Sequence, residues 1–211
     1  MLFRSVRQTG SILHGDFLFR GFRTNGTNFY VNNVPGVYTQ FNTPLYPIES
    51  LELISGPNVG LYGTGVQYET TNPGGIVSLK TKVAPDQGVF DYTQTISGRG
   101  LFGEYLDWGQ RFGKNKEWGV RITTENINGR TSVKGTKING QGIFANIDRT
   151  TEKSKDNLFF GYRNLDIQNG LRWFILGNSI TGATGLPKVP KSSNNYGFYT
   201  RYRQDSLVLL H

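Results

Sequence analysis

The chain has 211 residues, 36% apolar and 13% aromatic, with 28 glycines, no cysteine, two histidines and a formal net charge of +8. The absence of cysteine excludes disulfides and thiolate metal sites, His14 and His211 do not make an imidazole cluster, and basic residues scattered in turn-like pairs (Lys114 and Lys116, Lys153 and Lys155) argue against a nucleic-acid partner. No apolar run approaches the roughly 18 residues that a membrane-spanning helix needs, which leaves open spanning by strands, since lipid-facing and lumen-facing residues then alternate.

The opening Met1-Leu2-Phe3-Arg4-Ser5-Val6-Arg7-Gln8 has too short an apolar stretch for a secretory signal. Phe19-Arg20-Gly21-Phe22 and Asn28-Phe29-Tyr30-Val31-Asn32-Asn33-Val34-Pro35 follow, and the paired asparagines have turn chemistry because Asn tolerates the left-handed region. A loop between Pro35 and Pro44 carries Tyr38, Gln40 and Phe41.

The stretch from Ile48 to Val83 strings two period-two alternations through glycine-anchored turns. Leu51 and Leu53 alternate with Ser50 and Glu52, as in a half-buried strand. Gly56-Pro57 breaks that strand, Leu61-Tyr62-Gly63 follows, and Pro73-Gly74-Gly75 repeats the punctuation before Ile76, Val77 and Leu79 resume a strand that ends at Thr81-Lys82. Glu49 and Glu52 lie three residues apart on a strand, on opposite faces, so they do not make an acid/base pair.

This ordered set resembles the plug of a TonB-dependent outer-membrane receptor of the siderophore type. The matching positions are Arg20, Gly21, Phe22, Gly56, Pro57, Leu61, Tyr62, Gly63, Pro73, Gly74, Gly75, Thr81 and Lys82. The resemblance covers residues 17 to 167 and is strongest at 48 to 82. Asn32 and Asn33 stand where the family usually has Asp and Gly, and Ser55 stands where many members carry a basic residue of a charge cluster between plug and barrel. The resemblance implies a loop apex that meets the ligand, here with Tyr38, Gln40 and Phe41, and Arg23 to complement an anionic chelate. The amino-terminal box on which the TonB complex pulls is not recognisable.

Beyond Ala84-Pro85 the pattern changes to longer strands with spaced reversals. The expected strands are Gly88 to Gly98, Leu101 to Phe112, Glu117 to Ile127, Gln141 to Thr150 and Asn157 to Ile167, with Asn128 to Gly140 as a longer polar loop. In the third of these, Trp118, Val120 and Ile122 share one face, with Arg121, Thr123 and Glu125 on the other. Strand pattern alone fits a soluble antiparallel sandwich equally well. Residues 168 to about 203 read as an extended excursion, and a sixth strand begins near Asp205.

The expected fold is therefore mainly β: a small mixed α/β plug domain at 1–85, followed at 86–211 by an incomplete antiparallel transmembrane β-barrel of about five strands and the start of a sixth. Members of the family close about 22 strands, so the chain reads as a fragment of a receptor for energy-coupled import of ferric siderophores in the outer membrane of a Gram-negative bacterium. Outer-membrane lipid, a ferric siderophore and the TonB complex are the implied partners of the intact receptor, with no resident cofactor or metal. No nucleophile elbow or phosphate loop points to an enzyme. A soluble, aromatic-rich carbohydrate-binding module is the alternative.

Overall fold

The computed structural model of the chain describes residues 6–8, 17–19, 22–24, 29–35, 37, 43–55, 75–97, 99–131, 135–168 and 199–210. Among the described residues every regular element is a strand. Strands β1 (Val6–Gln8), β2 (Phe17–Phe19) and β3 (Phe22–Thr24) form a small antiparallel sheet in that order.

A second sheet is built from β4 (Phe29–Val31), β5 (Val34–Pro35), β6 (Ile48–Ser55) and β7 (Gly75–Thr81), in the order β5-β4-β7-β6. It is mixed in strand direction: β4 runs parallel to β7, whereas β5 and β6 run antiparallel to their neighbours. Asn32 and Asn33 make the β4–β5 turn with φ of 48° and 69°. Two positive φ angles in a two-residue hairpin make the turn whose twist suits the flanking strands, and Asn adopts them with little strain.

Central β7 buries the face of Val77 and Leu79, whereas Lys80 on the other face is exposed. Val77 and Leu79 pack with Phe29 and Val31 into a core flanked by Val37, Ile48 and Leu53. Each such side chain contributes roughly 1.5 to 3 kcal/mol on burial. Leu51 shares the face of Leu53 but lies on an edge strand and stays 36% exposed.

The third sheet is a six-stranded antiparallel meander, here called the wall. Its strands are β8 (Val89–Ser97), β9 (Leu101–Phe112), β10 (Trp118–Arg130), β11 (Lys137–Thr150), β12 (Lys155–Gln168) and β13 (Tyr199–Leu210), paired in sequence with β8 and β13 at the edges. The sheet does not close on itself.

Along β10, Gly119, Arg121, Thr123 and Glu125 are buried while Trp118, Val120 and Ile122 point the other way, as expected from the alternation. The buried side, the inner face, meets the mixed sheet. On the outer face, Phe90, Trp108, Ile122, Ala145 and Phe160 are successive cross-strand partners, one apolar row across five strands. Phe90 and Phe160 are 71% and 45% exposed.

Two expectations need correction. Asn128 to Gly140 is not one long loop: β10 continues to Arg130, β11 begins at Lys137, and Ile127↔Gly140 through Arg130↔Lys137 are paired. The ladder to neighbouring strands satisfies the backbone whatever the side chains, so polar composition does not end a strand there. For the same reason the last strand starts at Tyr199 rather than near Asp205, pairing with Gln168. Residues 169–198 lie outside the described residues.

Candidate functional site at the seam between the sheets

After β7 the chain runs as a strap from Lys82 to Gly88 against the inner face of the wall. The Lys82 amide donates to the Pro47 carbonyl at 2.9 Å, and Gly88 turns into β8 with a φ of 71°. Pro85 has no amide hydrogen to extend a ladder, so the strap carbonyls are available to the wall. Two arginines take them: Arg121 donates from Nη1 to the Val83 carbonyl at 3.1 Å, and Arg111 from Nη1 to the Ala84 carbonyl at 3.0 Å.

Each arginine is itself anchored. Arg121 forks onto Asp107 through Nε at 2.5 Å and Nη2 at 2.9 Å, and Lys82 Nζ reaches the same carboxylate at 2.8 Å. Arg111 Nη2 bonds Asp148 at 2.7 Å. Planar guanidinium forks suit such bidentate, partly buried work. Gly109 makes room for it, because a Cβ there would lie 2.5 Å from Arg121 Cδ.

Lys82 also stands over the Tyr46 ring, 4.4 Å from its centroid, and Tyr46 stacks at a tilt on Tyr105 with centroids 4.7 Å apart. Burial, and then the negative charges of Asp107 and Asp91, push the Tyr46 hydroxyl above its ordinary pKa. The ring therefore stays neutral and available to the cation.

A hydrogen-bond network lies beside this charge cluster. Thr81 Oγ1 accepts from Asn32 Nδ2 and from Asn146 Nδ2, both at 2.8 Å, while the Thr81 amide donates to Asn32 Oδ1 at 3.0 Å. Asn157 Nδ2 in turn donates to Asn146 Oδ1 at 2.7 Å. Further along the wall Arg163 pairs with Glu125, both buried, and Phe144 and Phe159 lie parallel, 6.4 Å apart, with Val34 and Val37 packed on them. The seam thus combines ion pairs, amide bonds and one apolar contact. Among the described residues no three His, Cys, Asp or Glu converge on a metal position.

Of the residues singled out from sequence, Thr81 and Lys82 stand at the centre of this seam. Gly75 opens β7 with a φ of 148° that only glycine adopts readily. Phe22 and Arg23 lie in β3, opposite Phe19 and Leu18. Arg20, Gly21, Tyr38, Gln40, Phe41, Gly56, Pro57, Leu61, Tyr62, Gly63, Pro73 and Gly74 lie outside the described residues.

Sequence reasoning passed over Asp107, Arg111, Asn146, Asp148 and Arg163. The alternation that assigned Arg121 and Glu125 to one face would have found Asp107 and Arg111, which lie opposite Leu106 and Trp108 on β9. A charge cluster joins the two sheets although Ser55 offers no cation, because Lys82 brings one from the other end of β7.

No protein-family model matches the chain. It is 24% identical over 182 residues to the ferrichrome receptor FcuA of Yersinia enterocolitica, a match that covers 86% of this chain and 23% of that protein. Among solved structures it is similar to BauA, the ferric preacinetobactin receptor of Acinetobacter baumannii, with a TM-score of 0.80, 24% identity, and coverage of 89% of this chain and 27% of that one. The Pseudomonas aeruginosa receptor FpvA bound to a pyoverdine superposes with a TM-score of 0.74 at 13% identity, over 97% of this chain and 27% of that one. The chain spans about a quarter of the length of these proteins. It shares their plug-and-barrel fold, of which it holds a mixed sheet and an unclosed wall.

Proposed function

We propose that the chain serves as the plug-to-wall portion of a TonB-dependent receptor that imports ferric siderophores across an outer membrane. The observation that carries this is the two-sidedness of the wall. Its inner face is charged and grips a mixed sheet, while its outer face presents one apolar row to the surroundings. Water does not tolerate such a face without a partner, and lipid requires it. The likeness to siderophore receptors supports the same reading and does not favour a soluble carbohydrate-binding module.

In this proposal residues 1–85 form plug and residues 86–211 form the first barrel strands. Arg23, Tyr38, Gln40 and Phe41 contribute to the ligand-facing side of the plug, with an aromatic surface and one cation for an anionic chelate. The seam holds the plug closed at rest, and the TonB complex supplies the work that loosens it. Transport then consists of binding and displacement, without covalent chemistry.

The test is to delete the gene that encodes the chain from its host and measure uptake of radioiron from a panel of ferric siderophores under iron limitation. Uptake from at least one siderophore is expected to fall to the level of a strain lacking TonB. Unchanged uptake across hydroxamate, catecholate and mixed-ligand siderophores would overturn the proposal.

A further inference from the structure

The β4–β5 hairpin sits on one patch of the wall. Phe144 and Asn146 are two residues apart on β11, Asn157 and Phe159 two apart on β12, and Asn146 pairs with Phe159 across the strands, so all four share the inner face. At the hairpin turn, Asn32 and Asn146 donate to the same Thr81 hydroxyl, and Asn157 donates to Asn146. Beyond the turn, Val34 and Val37 pack on the Phe144 and Phe159 rings. Amides therefore hold the hairpin at its turn, and apolar contact holds it where it leaves β5.

Val37 has a second attachment. It also packs on the core of the mixed sheet, formed by Phe29, Val31, Val77 and Leu79. Among the described residues no other side chain borders both apolar clusters. One valine thus bridges the mixed sheet and the wall, and Tyr38 is the next residue in the chain.

The wall shapes its side of this contact by itself. Gly161, the cross-strand partner of Phe144, offers no side chain, and a Cβ on Gly142 would lie 3.1 Å from the Phe144 ring. Two glycines therefore leave the ring space that any other residue would narrow. Phe144 and Phe159 are 2% and 1% exposed, so a ligand arriving from water reaches neither.

From these contacts we infer that Phe144 and Phe159 are positioning residues for ligand recognition: through Val37 they set the point from which Tyr38, Gln40 and Phe41 start. This inference rests on the receptor reading proposed above. Phe41 comes four positions after Val37, so a displacement of Val37 is passed to all three over at most about 14 Å of chain. Recognition needs its groups held to within about 0.5 Å. A smaller side chain at 144 lets Val37 settle into the vacated space and spoils that placement, with no change in any residue that meets the chelate.

The test uses the full-length protein that carries this chain, in nanodiscs, and the radioiron-loaded siderophore of a hydroxamate, catecholate and mixed-ligand panel that the wild-type protein binds most tightly. Phe144→Leu is expected to weaken binding about tenfold, chiefly through faster release. Adding Val37→Leu, which returns volume from the other side, should recover most of that affinity. Val37→Ala removes the bridge from the hairpin side and should weaken binding to a similar degree, so the result does not hang on the folding of Phe144→Leu. Leu165→Val trims a side chain equally buried on β12 that lies outside this cluster, and it should leave affinity unchanged. That control separates positioning from a general loss of stability. Unchanged affinity in Phe144→Leu and Val37→Ala, or an equal loss in Leu165→Val, overturns this inference alone. A wild-type protein that binds no siderophore of the panel overturns the receptor reading and this inference with it.

Discussion

Asn146, on the fourth strand of the wall, donates from its side-chain amide to the hydroxyl of Thr81, the last residue of β7, at 2.8 Å, and both side chains are buried. Thr81 is where the mixed sheet touches the wall by a hydrogen bond that neither partner can exchange for one to water. The same hydroxyl accepts from Asn32, so one oxygen ties the β4–β5 turn, the end of β7 and the wall together.

Thr81→Val keeps the shape of the side chain and removes that acceptor from two amide donors. Each buried donor left unsatisfied costs about 1 to 3 kcal/mol. The mixed sheet of the variant should therefore become cleavable by protease at lower denaturant while the wall is unchanged. Adding Asn146→Leu should cost less than the sum of the two single changes, because one bond is lost only once; strict additivity would show that the bond contributes nothing.

The charge cluster should follow the rule for buried pairs. Asp107→Asn leaves Arg121 and Lys82 facing a neutral group and is expected to destabilise the seam by about 3 to 5 kcal/mol. Replacing the pair together, Asp107→Leu with Arg121→Met, should restore much of that loss. Urea midpoints for release of a fluorophore on the mixed sheet would test this, and a double variant worse than Asp107→Asn would refute it.

Gly109 is expected to matter only through its neighbour. A Cβ at this position displaces the Arg121 side chain, so Gly109→Ala should shift the same midpoint in the direction of Arg121→Ala. In an Arg121→Ala background it should be close to neutral. A full additional loss there would place the effect in the backbone of β9 instead.

Depth on the outer face gives a graded prediction. Ile122→Arg, in the apolar row, should cost about 2 to 4 kcal/mol of folding stability in vesicles, and Asn126→Arg, four residues towards the rim, about 0 to 1. Equal costs would mean that no lipid covers this face.

The turn after β9 supplies a pH dependence. Glu117, exposed, accepts from its own amide and from that of Asn115, the latter at 2.9 Å, and these bonds hold its carboxyl below the usual value of 4.5. A depressed folded pKa stabilises the turn above the unfolded value and loses that effect as pH falls through the folded one. Exchange of the Asn115 amide hydrogen should therefore gain a protonation-linked acceleration in acid that Glu117→Gln lacks. Identical profiles for the two proteins would exclude the cap.

The alternation of β10 could be read without coordinates because a pleated strand sorts neighbours onto opposite faces. The Asn32-Asn33 reversal was legible because few residues other than Asn and Gly accept two left-handed angles in succession. The ends of β10 and β11 were not, since Asn128 to Gly140 looks like a loop until its amides find partners on the adjoining strands. The seam was also hidden. Asp107 and Lys82 are 25 positions apart, and nothing local says that the lysine donates to that carboxylate.

The arginines at 111 and 121 hold the strap by main-chain oxygens of Val83 and Ala84. Carbonyls are the same in every residue, so this grip does not read side chains. Positions 83 and 84 can drift in sequence without loosening, as Val83, 39% exposed, illustrates. For an engineer this makes the strap a splice point: a mixed sheet borrowed from a distant relative should seat on this wall if it keeps Lys82, Gly88 and the spacing between them, whatever residues fill positions 83 and 84.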